Sequence, residues 1–576
     1  MRIVAVAVDY DGTIAKDGTV RQNTIAAIER LIASGRRLIL VTGRMLADLL
    51  EVFPQAELCS RIVAENGAIL YRPNTKGQKL LGAPAPASLV ESLKKKGVLP
   101  LEVGASIVST LKPHETTVLE TIRDLGIEHH MVFNRESIMV LPPGVDKGTG
   151  LKAALLDLRL SPHNVVGIGD AENDHALFQA CGYAVAVRNA VPMLKSMADK
   201  VTQGEDGAGV AELIAELVAD NAGAVSMQSD RHQILLGSLE SGATVSISPM
   251  DANLLIAGSS GSGKSTLANG LLQRLAGQKY QFCVIDPEGD YESFDSAIVF
   301  GNAQRGPTVP EVLTALNNPY VQIVVNLVGL PLKDRPAFFL ELLPRLQEWR
   351  GKTGRPHRIF VDEAHHLLPP EWEPASDVWM EKLDGMVFIS VHPDQVSTRM
   401  LKTIDVAVAL GDAPDRTLRS YADRAGLSFP KQPHEVPNVL NVGDALIWKP
   451  AAGGHPEKMR IAPSEGEQRR HRRKYAEGKL PPDRSFYFRG RNGRLNLRAQ
   501  NLYLFLQTAE GVDDGTWLYH LRKGDYSRWM EVAIKDQLLA GAVRRVEEDS
   551  SLSAQESRQR VTQAIEERYT LPAGGM

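Results

Sequence analysis

The sequence predicts an α/β protein with two doubly wound parallel-sheet domains and a small helical C-terminal domain. Three observations predict it. Short apolar runs end in polar clusters and alternate with amphipathic stretches, the pattern of strands and helices in a parallel sheet. That pattern occurs twice, on either side of the small, polar stretch 221–232. Past residue 485 the strand-like runs give way to helical spacing. The predicted organisation is a first domain over 1–220 with an insert at about 68–145, a linker at 221–232, and a second sheet domain over 233–455. A basic linker at 456–484 and helices over 485–576 complete it.

The totals agree with that division. At 576 residues the chain is long enough for three or four domains. With 43% hydrophobic residues, 23% charged and a net charge of −4, it has an ordinary globular composition. No stretch has the length and apolarity of a membrane span. The first nine residues, Met-Arg-Ile-Val-Ala-Val-Ala-Val-Asp, read as a buried strand and not as a signal peptide. Three cysteines, Cys59, Cys181 and Cys283, sit singly in apolar settings, so neither a disulfide framework nor a zinc site is indicated. The expected location is the cytoplasm.

In chain order, residues 3–8 form an apolar run ending at Asp9-Tyr10-Asp11-Gly12-Thr13. An amphipathic stretch at 24–34 leads to a second run, 38–41, which ends at Thr42-Gly43-Arg44. Lys147 follows, and then the run 165–168 ending in Gly169-Asp170-Ala171-Glu172-Asn173-Asp174. Polar residues at the carboxyl ends of parallel strands mark the place where such sheets bind ligands. These four motifs, in this order, resemble the haloacid dehalogenase superfamily, specifically its Cof-like phosphatase branch, over about 1–218. The resemblance implies a Mg²⁺-dependent phosphomonoesterase of small phosphorylated compounds, sugar phosphates in particular. It assigns Asp9 as nucleophile, a role a carboxylate can fill only with its charge offset by the metal. It places the metal with Asp9, Asp11, Asp170 and Asp174. Asp11 would protonate the leaving alkoxide and then deprotonate the attacking water. Thr42 and Lys147 would hold the transferring phosphoryl oxygens, with Gly43 and Asn173 as substrate contacts. Aspartate at both 9 and 11 favours phosphoryl transfer over dehalogenation.

The insert reads as two short strands around a turn at 73–77, a helix at 86–96, a strand at 107–111, a helix at 114–125 and a hairpin through Asn134-Arg135. Its position matches the family's C2-type cap, which closes over the site and selects the substrate. His129, His130, Asn134 and Arg135 are the candidate contacts.

In the second domain, an apolar strand at 253–257 precedes Gly258-Ser-Ser-Gly261-Ser262-Gly263-Lys264-Ser265-Thr266, which matches G-x-x-x-x-G-K-[ST]. Backbone N–H groups of such a loop cradle nucleotide phosphates, the lysine reaches the outer phosphates, and the Ser265 hydroxyl holds Mg²⁺. A helix starting under the loop adds its N-terminus to the phosphate site. The run 358–361 closed by Asp362-Glu363 is a Walker B pattern, with Asp362 ordering the metal and Glu363 activating water. Asp286-Pro287-Glu288-Gly289-Asp290-Tyr291 follows a further strand. Together these resemble the HerA/FtsK group of hexameric P-loop ATPases over about 233–450. Two departures stand out: His392 replaces the glutamine usual after the sensor strand, and the β-barrel usual ahead of the core has no room. The resemblance implies ATP as cofactor, a homo-hexamer, and an arginine finger from a neighbouring subunit, for which Arg399, Arg416 and Arg419 are eligible.

From 458 to 498 there are 13 Lys/Arg against 4 Asp/Glu, a net of +9, with the run Arg469-Arg470-His471-Arg472-Arg473-Lys474 followed by Tyr475, Phe486, Tyr487 and Phe488. The tract suits either contact with nucleic acid or a solvated strap onto an acidic neighbour. The tail reads as helices at 497–509, 516–521, 526–534 and beyond 553, with Trp517, Leu518, Leu521, Trp529 and Val532 spaced as a small core. Three functions are compatible with the whole chain. They are a metabolite phosphatase with a regulatory ATPase, an ATP-driven motor on DNA or RNA with an accessory phosphatase, and an ATP-assembled scaffold or sensor.

Overall fold

A computed structural model of the chain describes residues 2–219, 232–371 apart from 251, 293 and 295, 383–430, 440–463, 480, 484–490, and 495–569 apart from 535. The basic run 469–474, Tyr475 and all of the expected linker except residue 232 lie outside the described residues. The chain divides into two compact units, 1–462 and 463–576.

Within the first unit, Ala5–Val8 lies in the middle of an eight-stranded sheet, between Arg37–Val41 and Val165–Gly169, both parallel to it. The chain builds outward on one side through Arg61–Ala64, then returns to build the other flank through Tyr183–Ala186 and Lys200–Val201. Where the direction of building reverses, the loops at the carboxyl ends part and leave a crevice. All four residues of Ala5–Val8 are buried, because helices cover both faces and leave no polar side to the strand. Gln22–Ala33 and Asp206–Ala219 pack on one face through Ile28, Leu31 and Leu213, and Lys147–Leu158 packs on the other through Leu151 and Leu155.

Ile69–Arg72 and Gly77–Leu80, expected in the insert, instead pair antiparallel onto the edge strand Arg61–Ala64 and belong to the core sheet. Sequence alternation shows a hairpin but not which sheet edge receives it. The insert proper is a four-stranded antiparallel sheet of His130–Asn134, Ser137–Leu141, Val108–Leu111 and Glu102–Val103. Helices Ala87–Lys95 and Glu115–Leu125 back it, burying Leu89, Leu93, Val118 and Ile122.

The second sheet has eleven strands. Seven run parallel, in the order Val406–Leu410, Leu254–Gly258, Met386–Ser390, Arg358–Val361, Phe282–Asp286, Gln322–Asn326, Ala297–Phe300. The remaining four, Asp444–Trp448, Glu457–Ile461, Ile234–Leu239 and Thr244–Ile247, continue the sheet antiparallel from the Val406–Leu410 edge. No separate barrel precedes the loop among the described residues.

The two sheets meet root to root. The His163 ring stacks on Tyr280 at 3.7 Å and its Nε2 donates to the Gln278 carbonyl at 2.8 Å. Asn164 donates to the carbonyls of Arg2 and Gly354, and its Oδ1 accepts from His357 Nε2 at 3.1 Å. That tautomer follows because His357 Nδ1 accepts the Gln281 N–H. Arg355 adds a bond to the Arg159 carbonyl at 2.8 Å. His163 and Asn164 stand just before Val165–Gly169, Gln281 just before Phe282–Asp286, and His357 just before Arg358–Val361. The joined ends are therefore amino ends, and the carboxyl ends of the two sheets point apart. One apolar cluster runs through both, from Leu31 and Leu217 to Ile234, Leu236 and Leu275.

In the second unit, a hairpin of Phe486–Phe488 and Leu497–Ala499 packs with helices Leu502–Gly511, Asp514–Arg522, Asp525–Val532, Gln537–Glu548 and Ala554–Tyr569. The helix expected at 497 starts at 502, where the Asn501 side chain caps it by accepting from Leu504 N–H at 2.8 Å. Trp517, Leu521 and Trp529 lie in the core as spaced, whereas Val532 is 68% exposed.

Candidate active sites

At the first crevice, Asp9 follows Ala5–Val8, Thr42 follows Arg37–Val41, and Asp170 follows Val165–Gly169, each at a strand's carboxyl end. Lys147 arrives from the opposite face as the first residue of Lys147–Leu158, whose N-cap Asp146 accepts from Thr149 N–H at 2.7 Å. The fully buried Lys147 ammonium donates to Asp9 Oδ1 at 2.7 Å and to Asp174 Oδ1 at 2.6 Å. The other Asp174 oxygen accepts the N–H groups of Asp170 and Ala171 at 2.9 and 3.0 Å, and Thr13 donates to Asp170 at 2.8 Å.

Burial raises Asp9 above the ordinary carboxylate range, with Asp174 and Asp170 adding to it and Lys147 opposing; burial and Asp174 raise Asp170 likewise. Burial pulls Lys147 down, but Asp174 and Asp9 outweigh it, so the ammonium stays charged. Three buried acids thus face one buried cation. Asp9, Asp170 and Asp174 offer oxygen atoms within 4.8 Å of one another, and Asp9 Oδ2 is buried without a hydrogen-bond partner. Hard oxygen donors at that spacing fit a small divalent cation such as Mg²⁺.

The Asp11 carboxylate stands outside this triad. Both its oxygens are bound by Arg44, at 2.7 Å each, and Arg44 also binds Asp48. Thr42 is buried with its hydroxyl accepting the Arg44 N–H at 3.1 Å. A Cβ on Gly43 would lie 3.3 Å from Met139 of the cap and 3.6 Å from Asn173, so glycine lets the cap sit close. Of the four cap candidates, Arg135 bonds into the core, its guanidinium to Asp170 and its N–H to Glu172. Asn134 is a hairpin residue opposite Ser137, His130 is exposed, and both ring nitrogens of His129 are buried without partners.

Sequence reading missed Glu65 and Asn66. Both hold left-handed backbone, at φ 50° and 53°. The Glu65 carboxylate accepts the N–H groups of Ala105 and Ser106 at 3.0 Å each, tying the cap to the core. Asn66 accepts from Asn173 at 3.1 Å. A strand ending in Glu-Asn-Gly was the available signal.

At the second crevice, Leu254–Gly258 leads into the glycine loop and Lys264–Gly277 leaves it. Gly258, Gly261 and Gly263 take φ of 152°, 77° and 100°. Lys264 donates to the carbonyls of Gly258 and Ser259 at 3.0 Å each, and burial lowers its pKa. Ser262 is half-buried beside it, Ser265 is exposed and Thr266 half-buried at the helix start. The glycine-loop geometry fits a nucleotide phosphate chain.

Asp362 is pushed up to about 8 by burial and then by Glu363 and Asp286. Glu363, raised mainly by burial, takes φ 41°, a left-handed conformation costly for a non-glycine residue. His365 Nδ1 lies 3.4 Å from its carboxylate and 3.1 Å from Ser390 Oγ, and that hydroxyl also accepts the His392 N–H at 3.0 Å. His365 and Ser390 were not singled out in the sequence. Asp286 shapes the backbone, because its carboxylate accepts the N–H groups of Glu288, Gly289, Asp290 and Tyr291 and folds the motif into a closed turn. Among the arginine candidates, Arg419 is engaged with Asp415 at 2.7 Å and lies over Phe429, whereas Arg416 is exposed; Arg399 is exposed too.

Residues 6–99 and 103–214 match the family model of haloacid dehalogenase-like hydrolases, and residues 234–339 match that of the helicase HerA central domain. A phosphoglycolate phosphatase of Methanothermobacter thermautotrophicus is 32% identical over 219 residues, covering 36% of this chain and 96% of the relative. Phosphoglycolate phosphatase 1 of Saccharolobus solfataricus is 29% identical over 235 residues, covering 38% of this chain and 96% of its own. Among solved structures, a haloacid dehalogenase-like hydrolase from Bacteroides thetaiotaomicron is 18% identical with a TM-score of 0.34, covering 38% of this chain and all of that one. Among the described residues no helix is long and apolar enough to cross a membrane.

Proposed function

This chain belongs to the haloacid dehalogenase-like hydrolases through its first domain, and on that premise we propose a Mg²⁺-dependent phosphomonoesterase coupled to an ATP-hydrolysing HerA-type domain. The buried triad of Asp9, Asp170 and Asp174 around the Lys147 ammonium carries the phosphatase reading. Mg²⁺ held by the triad would offset the charge that a carboxylate nucleophile and a phosphate bring together. An Asp9 oxygen attacks phosphorus, the P–O bond to the alcohol breaks, and Asp11 supplies the proton the departing alkoxide takes up. Asp11 then accepts a proton from the water that cleaves the aspartyl-phosphate, a role for which its carboxylate must leave the two bonds Arg44 makes to it in this structure. Lys147 and Thr42 bind the phosphoryl oxygens over which charge spreads.

The substrate we assign is a small phosphorylated acid of the phosphoglycolate kind, ahead of a neutral sugar phosphate. The relatives' names support that choice, and so does a cationic Arg135 as the cap's contribution at the mouth. In the second domain, Lys264 and the loop N–H groups would hold ATP phosphates, Asp362 and Ser265 would hold its metal, and Glu363 would take the proton of the attacking water. A ring-type homo-oligomer, most simply a hexamer, would bring an arginine to the neighbouring site, with Arg416 exposed for that role.

A phosphate-release screen over 2-phosphoglycolate, sugar phosphates, nucleotides and DNA ends, with and without ATP, tests the proposal. The expected result is Mg²⁺-dependent hydrolysis of the phosphorylated acid, abolished in Asp9→Asn and modulated by ATP in the wild type but not in Lys264→Ala. Full activity in Asp9→Asn, or no hydrolysis of any ester, would overturn it.

A further inference from the structure

We propose that the C-terminal unit carries a binding groove for single-stranded nucleic acid, built from exposed cations around two tyrosine rings. The groove encloses about 470 Å³ between the hairpin strand Phe486–Phe488 and the helices Asp514–Arg522 and Asp525–Val532. Its rim carries the exposed side chains of Arg484, Arg489, Lys523 and Arg528. Half-buried Tyr487 and Tyr519 stand between them. The Arg489 guanidinium lies 5.5 Å from the Tyr487 ring centroid, and the Lys523 ammonium 4.2 Å from that of Tyr519. Lys523 also donates to the Tyr519 hydroxyl at 2.6 Å, which fixes cation and ring as a pair.

The anion balance of the groove is what points to a ligand. Asp525 is the carboxylate in its lining, and it is already engaged. His520 Nε2 accepts the Arg489 N–H, so its Nδ1 carries the proton and donates to Asp525 Oδ2 at 2.9 Å. The other Asp525 oxygen faces Arg528 at 3.7 Å. Arg484, Arg489 and Lys523 form no ion pair with a carboxylate among the described residues, although the chain as a whole is acidic, at −4. A surface whose four cations outnumber its one carboxylate around aromatic faces matches a polymer alternating phosphates with flat rings. Base stacking needs rings whose faces are reachable from solvent, which a duplex does not offer. The groove therefore favours a single strand, of DNA or RNA alike.

The test uses the whole 576-residue chain and fluorescein-labelled 12-nucleotide single strands of DNA and RNA in an anisotropy titration. A duplex of the same sequence, inorganic polyphosphate and a free mononucleotide serve as competitors. We expect the single strands to outcompete duplex and polyphosphate by tenfold or more. The log–log salt slope should be near −2, three phosphate contacts at roughly −0.7 each. Tyr487→Leu and Tyr519→Leu, which keep apolar contact, should each weaken binding about tenfold with the slope unchanged. The triple change Arg484→Gln, Arg489→Gln and Lys523→Gln, all at exposed positions, should flatten the slope. Circular dichroism of each variant verifies that the helices persist. Competition by polyphosphate equal to that by single strands would reduce the groove to a charged patch and overturn the proposal. Binding of the strands that none of the five substitutions alters would place the contact elsewhere on the chain and overturn it equally. Displacement of the labelled strands by the mononucleotide as readily as by unlabelled strand would make the groove's ligand a free nucleotide and overturn the polymer reading.

Discussion

Acidification should loosen the junction between the two sheets before it reaches either core. His163 is 8% exposed, its Nε2–H is committed to the Gln278 carbonyl, and its Nδ1 is buried without a partner. Among the described residues the groups facing the ring are His232, Tyr280, His357 and Lys279, and no carboxylate is among them to receive a positive charge. Burial, then His232, lowers His163 from an ordinary 6.5 to about 4. Burial, then His163, Arg355 and Arg350, lowers His357 well below 6.5 as well. A histidine depressed in the folded state contributes stability that is fully present above about pH 6.5 and is lost as pH falls toward the folded value. For His163 the difference between 6.5 and about 4 is worth ~3 kcal/mol at ~1.36 kcal/mol per pH unit, and His357 adds to it with the same sign. The assay is hydrogen exchange by mass spectrometry between pH 7 and 4.5, with rates divided by the intrinsic rate at each pH. Protection in peptides spanning 160–166 and 278–284 should fall by up to about tenfold per pH unit for each histidine. His163→Phe keeps the stack on Tyr280 and removes one titration, so its slope should be about half that of the wild type. Protection that stays flat across the range, or an unchanged slope in His163→Phe, would refute the reasoning.

Three further outcomes follow from the two sites. Lys147→Met leaves three buried acids without their cation and should cost ~3–5 kcal/mol, with phosphatase activity lost; added Mg²⁺ should raise its melting temperature more than that of the wild type, and an equal rise in both would contradict the arrangement. Glu363→Gln should bind ATP, as followed by tryptophan fluorescence, while hydrolysis falls at least 100-fold; wild-type turnover would remove Glu363 as the base. Gly258→Ala would drive a Cβ into the Leu410 carbonyl at φ 152° and should destabilise by ~1–3 kcal/mol with loss of ATP binding, measured by melting and titration.

What was legible from the sequence was local or periodic. The runs at 3–8, 38–41, 165–168 and 282–285 read as strands because each is apolar throughout, which two helix-covered faces require, and each ends in a polar cluster. That is why the α/β class with two parallel sheets could be read, and why the structure brings Asp9, Thr42, Lys147, Asp170 and Asp174 together from far-apart motifs. What escaped depends on pairings across long separations. Glu65 ties residues 105 and 106, Arg44 holds Asp11, and Asn164 meets His357, each a polar residue that in sequence looks like any loop residue. The strand Leu497–Ala499 read as helix because three residues are too few to show a period, and its pairing with Phe486–Phe488 decides the matter.

Root-to-root joining also settles how material can move. Each sheet is about five residues deep along its central strands, so two of them end to end set the crevices on the order of 35 Å apart, facing opposite ways. A tunnel between them would have to bore lengthwise through both cores, past Leu236, Leu275 and Tyr280, which are packed solid. Phosphate released at one mouth would have to enter bulk solvent before it could meet the other, where any free phosphatase product would compete with it on equal terms. Among the described residues the two halves share a spine and not a passage.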